Sequence, residues 1–143
     1  MKRNKIVLDT NCLLASISSK SENFHVWTGF QQGKFVLCVS NEILEEYNEI
    51  ISKKASSIVA ENIINAIVES GFVEFVDPRY HFELITSDID DNKFVDCAIA
   101  TNAAFIVSED KHFDVLKEIP FPKLLVIRLK EFLKILTEQE ALT

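Results

Sequence analysis

Four acidic side chains fall where an α/β chain could do chemistry with them. Asp9 follows directly on the apolar run Ile6-Val7-Leu8, and Asp110 comes shortly after Phe105-Ile106-Val107. Both sit at the carboxyl ends of predicted strands, the edge at which open parallel sheets build their sites, where strand order reverses. Either acid taken singly is better read as a helix cap or a solvated turn; two in equivalent positions shift the balance modestly. A helix predicted after Ser40 supplies the third candidate. At about 100° per residue, Ile43, Leu44, Tyr47, Ile50 and Ile51 make its apolar face. Glu45 and Glu49 point away from that face, whereas Glu46 lies about 40° from Ile50, on its rim. The segment Asp88 to Ala98 supplies the fourth. Phe94, Cys97, Ala98 and Thr101 form an apolar stripe, with Asp96 on the opposite flank beside the small Ala100. Asp91 projects about 140° away and is expected to be a first-turn acid favoured by the helix dipole. Asp88 and Asp90 are expected as loop or cap residues.

Convergence of Asp9, Glu46, Asp96 and Asp110 would define a chemistry. Oxygen donors without His or Cys select Mg²⁺ or Mn²⁺ rather than zinc. Crowded carboxylates raise one another's pKa, and a divalent cation relieves that cost. Such an ion can activate water and neutralise charge on a phosphodiester as water attacks in line. It would also let an acidic protein hold a polyanion. The chain carries 15 Lys+Arg against 22 Asp+Glu, a formal net charge of −7. Attraction to phosphate backbones or anionic lipid through net charge is thereby excluded.

Positioning these acids falls to alternating elements. Apolar runs at 6–8, 35–38, 72–76, 105–107 and 124–127 are predicted strands, and helical stretches lie near 23–32, 40–52, 56–70, 90–102 and 128–137. This alternation predicts a parallel sheet covered on both faces, an α/β sandwich. Ser40 is a plausible N-cap, Asp88 or Asp90 can cap the helix containing Phe94, and Gly71 is a natural stop for the helix before it. The 143 residues, 48% of them apolar, suffice for one domain over 1–143 with its own core. Cys12, Cys38 and Cys97 are far apart and flanked by apolar residues, so they read as buried thiols of a cytoplasmic protein. The three histidines, His25, His81 and His112, show no zinc-site spacing. The apolar run at the N-terminus is too short for a signal peptide or membrane span.

Taken together, Leu8-Asp9-Thr10-Asn11, Ser40 with Ile43 to Tyr47, Asp91 to Ala98, and Ile106 to Phe113 resemble the PIN-domain ribonucleases, more narrowly the VapC-like toxins of type II toxin–antitoxin systems. The resemblance spans about residues 4–128. It implies a three-layer α/β/α sandwich with a five-stranded parallel sheet in the order 3-2-1-4-5. It also implies a Mg²⁺- or Mn²⁺-dependent endoribonuclease acting on single-stranded RNA. The family's four acids map onto Asp9, Glu46, Asp96 and Asp110, as catalytic and metal-binding residues, and its polar positions map onto Asn11 and Ser108. Glu109 stands where many relatives have glycine. Lys93 and Lys111, beside the acids in sequence, are candidates for contacting phosphates. A cognate antitoxin and a homodimer are expected from the family, and the segment 24–30, with Phe24, Val26, Trp27 and Phe30, is a candidate dimer contact that core packing explains equally well. Two other readings use the same features: a PIN fold serving only as an interaction module, and a phospho-acceptor receiver domain. The receiver would need an acidic pair after the first strand, which this chain lacks.

Overall fold

A computed structural model describes residues 3–120 and 123–141. Five strands, β1 (Asn4–Leu8), β2 (Phe35–Val39), β3 (Val73–Phe75), β4 (Phe105–Val107) and β5 (Val126–Ile127), alternate with helices α1 (Thr10–Ser16), α2 (Phe24–Gln31), α3 (Asn41–Lys54), α4 (Ser57–Glu69), α5 (Asn92–Thr101) and α6 (Leu129–Ala141). The strands form one parallel sheet in the order β3-β2-β1-β4-β5. Ile6, Val7 and Leu8 are all buried, which requires cover on both faces because successive side chains of a strand point to opposite sides. The architecture is the α/β/α sandwich expected. A receiver domain is excluded by topology, since that fold orders its strands 2-1-3-4-5.

Local chemistry accounts for most of the boundaries. Ser40 Oγ accepts from the Ile43 amide at 3.3 Å, and Ser56 does the same for Val59 at 3.1 Å. Glu42 in the first turn of α3 and Lys53 and Lys54 in its last suit the helix dipole. Helix α5 ends at Asn102, whose left-handed backbone (φ 56°) turns the chain toward β4. The expected stop at Gly71 falls one residue early: Ser70 leaves the helix with extended backbone, and its hydroxyl accepts from the Phe72 amide. Helix α1 was not expected. Its seven residues are too few to show a period, and Asp9, at its N-cap, does not cap it with its side chain.

Val26, Trp27 and Phe30 of α2 are buried, with Trp27 against Phe30 and Phe30 against Phe35, so the proposed dimer contact is core; only Phe24 is half-exposed. All three cysteines are buried and free. Burial pushes the Cys12 thiol up to about 12, with Asp9 adding to the effect. Among the described residues, no helix is long and apolar enough to cross a membrane.

One buried bond ties α3 to the central strand. The Tyr47 hydroxyl, in a wholly buried side chain, donates to the Leu8 carbonyl at 2.6 Å. It fixes the helix carrying Glu46 against the strand end carrying Asp9. Tyr47→Phe keeps the ring and removes the donor, and is expected to cost about 1–3 kcal/mol, the scale for orphaning a buried acceptor. Urea denaturation should show a lower midpoint at unchanged slope.

Candidate active site

Leu8 of β1 pairs with Val107 of β4, so the residues that follow them, Asp9 and Ser108, emerge side by side at the switch point of the sheet. Ser108 Oγ donates to Asp9 Oδ2 at 2.7 Å and accepts from the Asp110 amide at 3.0 Å. One buried hydroxyl thus connects the first acid to the loop bearing the fourth. Asp9 is 7% exposed, and its pKa is raised. Burial is the main cause; the bonds from Ser108 and the Thr10 amide oppose it, while Glu46 and Asp110 add repulsion.

Glu46 reaches the same place from α3. Its carboxylate accepts from the Thr10 hydroxyl on one oxygen and pairs with Lys93 Nζ at 2.8 Å on the other. Glu46 is half-buried while Glu45 is exposed, as the helix register requires. Asp110 accepts from the His112 amide at 2.9 Å, opening the 3-10 helix Lys111–Glu118.

The acid of the 88–98 segment that approaches this group is Asp91. It is buried, and its carboxyl is raised to about 6, chiefly by burial, with Asp88, Asp110 and Asp9 adding repulsion against the opposing bond from His112. The expected third acid, Asp96, is engaged elsewhere: Oδ2 meets His81 Nδ1 at 3.2 Å and Oδ1 accepts from the Phe82 amide at 3.1 Å. One turn earlier, Asn92 bonds both the amide and the carbonyl of Ile85 at 2.8 Å. Asn92 and Asp96 thus hold the irregular segment 81–85 along α5, so Asp96 is spent on that segment instead of joining the other acids. A 3-10 turn (Ile89–Asp91) delays the start of α5 to Asn92 and leaves Asp91 at its mouth, with no side-chain cap bond.

The histidines also acquire partners that spacing did not reveal. His112 Nδ1 lies 3.1 Å from Asp91, 3.2 Å from Asp110 and 3.8 Å from Asp88. The bond to Asp91 is the main cause raising the His112 pKa. Asn11 is exposed and makes no side-chain hydrogen bond among the described residues, whereas Thr10, not singled out from the sequence, takes the polar role beside Glu46. Glu109 turns from the cluster: its carboxylate accepts from the Leu129 amide at 2.8 Å, at the start of α6.

Among the described residues, the group whose ligand atoms all lie within 4.8 Å of one another is Asp88, Asp91 and His112, so a histidine joins the acids where oxygen donors alone were expected; Asp9 and Asp110 add carboxylates that repel Asp91. Burial and mutual repulsion penalise the charged carboxylates, which is the cost a cation offsets. Acids gathered at a strand edge with a paired lysine suit handling of a phosphate ester.

Solved structures share the fold, three of them as follows. VapBC2 from Rickettsia felis, bound to a DNA fragment from its promoter, aligns at 18% identity over 87% of this chain and 98% of that one, with a TM-score of 0.59. VapC20 of Mycobacterium tuberculosis, a sarcin–ricin loop cleaving toxin, aligns at 14% identity over 76% and 92%, with a TM-score of 0.57. The PIN domain endonuclease Utp24 aligns at 13% identity over 87% and 84%, with a TM-score of 0.51. No curated protein matches the chain in sequence. The PIN domain family model matches residues 5–112, the stretch that carries Asp9, Glu46, Asp91 and Asp110, and the chain belongs to the PIN domain family.

Proposed function

We propose that this protein is a Mg²⁺- or Mn²⁺-dependent endoribonuclease that hydrolyses phosphodiester bonds of single-stranded RNA, and that it is the toxin of a toxin–antitoxin pair. The observation that carries the reading is the gathering of Asp9, Glu46, Asp91 and Asp110 at the switch point of the sheet, with burial and repulsion raising Asp9 and Asp91. A bound cation supplies Lewis acidity toward a phosphodiester and positive charge against a polyanion. Asp9, Asp91 and Asp110 hold it in this reading, with His112 alongside. Asp96 acts through the segment it fastens. Ser108 orients the Asp9 carboxylate, and Glu46, steadied by Thr10 and Lys93, takes the proton of the attacking water. The likeness to VapBC2 and VapC20 supports the toxin role and a cognate antitoxin partner; three buried free cysteines suit a cytoplasmic setting, and a homodimer is part of the same proposal.

Incubation with single-stranded RNA oligonucleotides tests the activity directly. Cleavage is expected with Mg²⁺ or Mn²⁺, should stop in EDTA and should return with excess ion. Cleavage that survives thorough chelation would refute the metal mechanism.

Neighbouring glutamates give a sharper comparison. Glu46→Gln is expected to lower turnover by about 100-fold or more, the scale for losing a positioned acid–base group. Glu45→Gln removes a solvated charge and should leave turnover nearly unchanged, with stability within about 0.5 kcal/mol. Both are measured under saturating Mn²⁺, with folding checked by circular dichroism.

Asp91 and Asp96 are separated by melting. The raised pKa of Asp91 makes its charged form a cost to the folded state; that cost is full above about 6 and fades as pH falls toward 3.8, the ordinary carboxyl value. Metal-free Asp91→Asn should therefore melt above wild type at pH 8, by a margin that shrinks toward pH 4. Mn²⁺ at 100 times its dissociation constant stabilises a single-site protein by about 2.7 kcal/mol. Asp91→Asn should lose most of that shift, whereas Asp96→Asn should keep it and show faster proteolysis within 81–85.

A further inference from the structure

Lys93 stands where a second cation would be expected. Its Nζ lies 2.8 Å from Glu46 Oε1, and its side chain is only 14% exposed. The other Glu46 oxygen is taken by the Thr10 hydroxyl, so both are occupied before any ion arrives. The lysine is held in place: its ammonium lies 5.6 Å from the centre of the Phe94 ring, Phe94 is fully buried against Phe113, and the preceding residue, Asn92, is anchored to Ile85. The hollow beside Glu46 is lined by Glu42, Glu45, Glu46, Glu49, Asp90 and Lys93, five acids and one cation.

Nuclease sites that use two metals place them about 3.5–4 Å apart, each needing carboxylate oxygens. Here the carboxylates differ in what faces them. Asp91 and Asp110 lie 3.1 and 3.2 Å from His112 Nδ1, and Asp9 is joined to the Asp110 loop through the Ser108 hydroxyl. Glu46 has an ammonium against it. An ammonium is a compact point charge with three donors, and at hydrogen-bond distance it fills the position an ion would take on Oε1.

We infer that this protein holds one divalent ion, on the Asp9–Asp91–Asp110 side, and that Lys93 is a positioning residue that supplies the second positive charge at Glu46 and keeps a second ion out. The inference rests on the proposed metal-dependent reading and makes it more specific. Lys93 then fixes the orientation of the Glu46 carboxylate and leaves it a base for water.

Ion stoichiometry, which needs no RNA, is the test. Isothermal titration of the full chain with Mn²⁺ alone, with the electron paramagnetic resonance spectrum of the loaded protein, should give one ion per chain for wild type and no spin coupling. Lys93→Met should bind two ions and show the spin-coupled spectrum of a close pair. Lys93→Arg, which restores the charge, should return to one, as should the double variant Lys93→Met with Glu46→Gln. A merely structural role for Lys93 would alter melting without changing the ion count. Two ions in wild type, or one in both wild type and a folded Lys93→Met, would overturn the inference. No Mn²⁺ binding by wild type would overturn the metal-dependent reading itself, and this inference with it.

Discussion

The parallel register of β1 and β4 is the constraint on which the site depends. Pairing Leu8 with Val107 places Asp9 beside Ser108, and the 2.7 Å bond between them follows from that adjacency. A slip of one residue would send every side chain of the strand to the opposite face and put Ile6, Val7 and Leu8 out of their layers. The core and the acid pair are therefore specified together: apolar burial selects the register, and the register delivers a carboxylate to a position where burial penalises its charge. The remaining contacts, Tyr47 on Leu8, Thr10 on Glu46 and Asp110 on Ser108, fasten neighbouring elements to this junction.

The electrostatic design has two halves. On one side, Asp9 and Asp91 are buried within reach of other acids, and their charge is costly. On the other, Glu46 is neutralised within the chain by Lys93. The acidic surface of a protein with net charge −7 thus contains a place that favours a cation and, next to it, a place that already has one.

Much of this was legible in the sequence. Continuous apolar runs such as Phe35 to Cys38 marked the strands because a parallel sheet is buried on both faces, and the 3.6-residue period separated Glu46 from Glu45 correctly. The period did not reveal what covers a helix. The period puts Asp96 on the flank beside the small Ala100 as one of the converging acids, but the 81–85 segment, which carries no regular pattern, lies there and takes both its oxygens. On the helix wheel Asp91 projects about 140° from Asp96 and reads as a dipole acid; a 3-10 turn precedes α5, so Asp91 stands before its first residue, within reach of Asp110 and Asp9. His112 and Thr10 gave no signal, since each meets partners brought close only by tertiary packing: Asp91 is 21 residues from His112, and Glu46 is 36 from Thr10.

The C-terminal end of the chain bears on where the physical unit stops. The family match ends at residue 112, yet Arg128 donates from Nη1 to the carbonyls of Ser108 and Asp110, at 3.0 and 3.4 Å, and from Nη2 to Asp114 at 3.1 Å. Ser108 also sends its amide to the Ile127 carbonyl, and Glu109 caps the start of α6. The stretch matched by the family model is thus shorter than the packed body: a fragment trimmed to it would strip the partners from the backbone that carries Ser108 and Asp110. Position 109 accordingly answers to α6: its carboxylate serves the Leu129 amide across the sheet edge rather than the acids beside it in sequence.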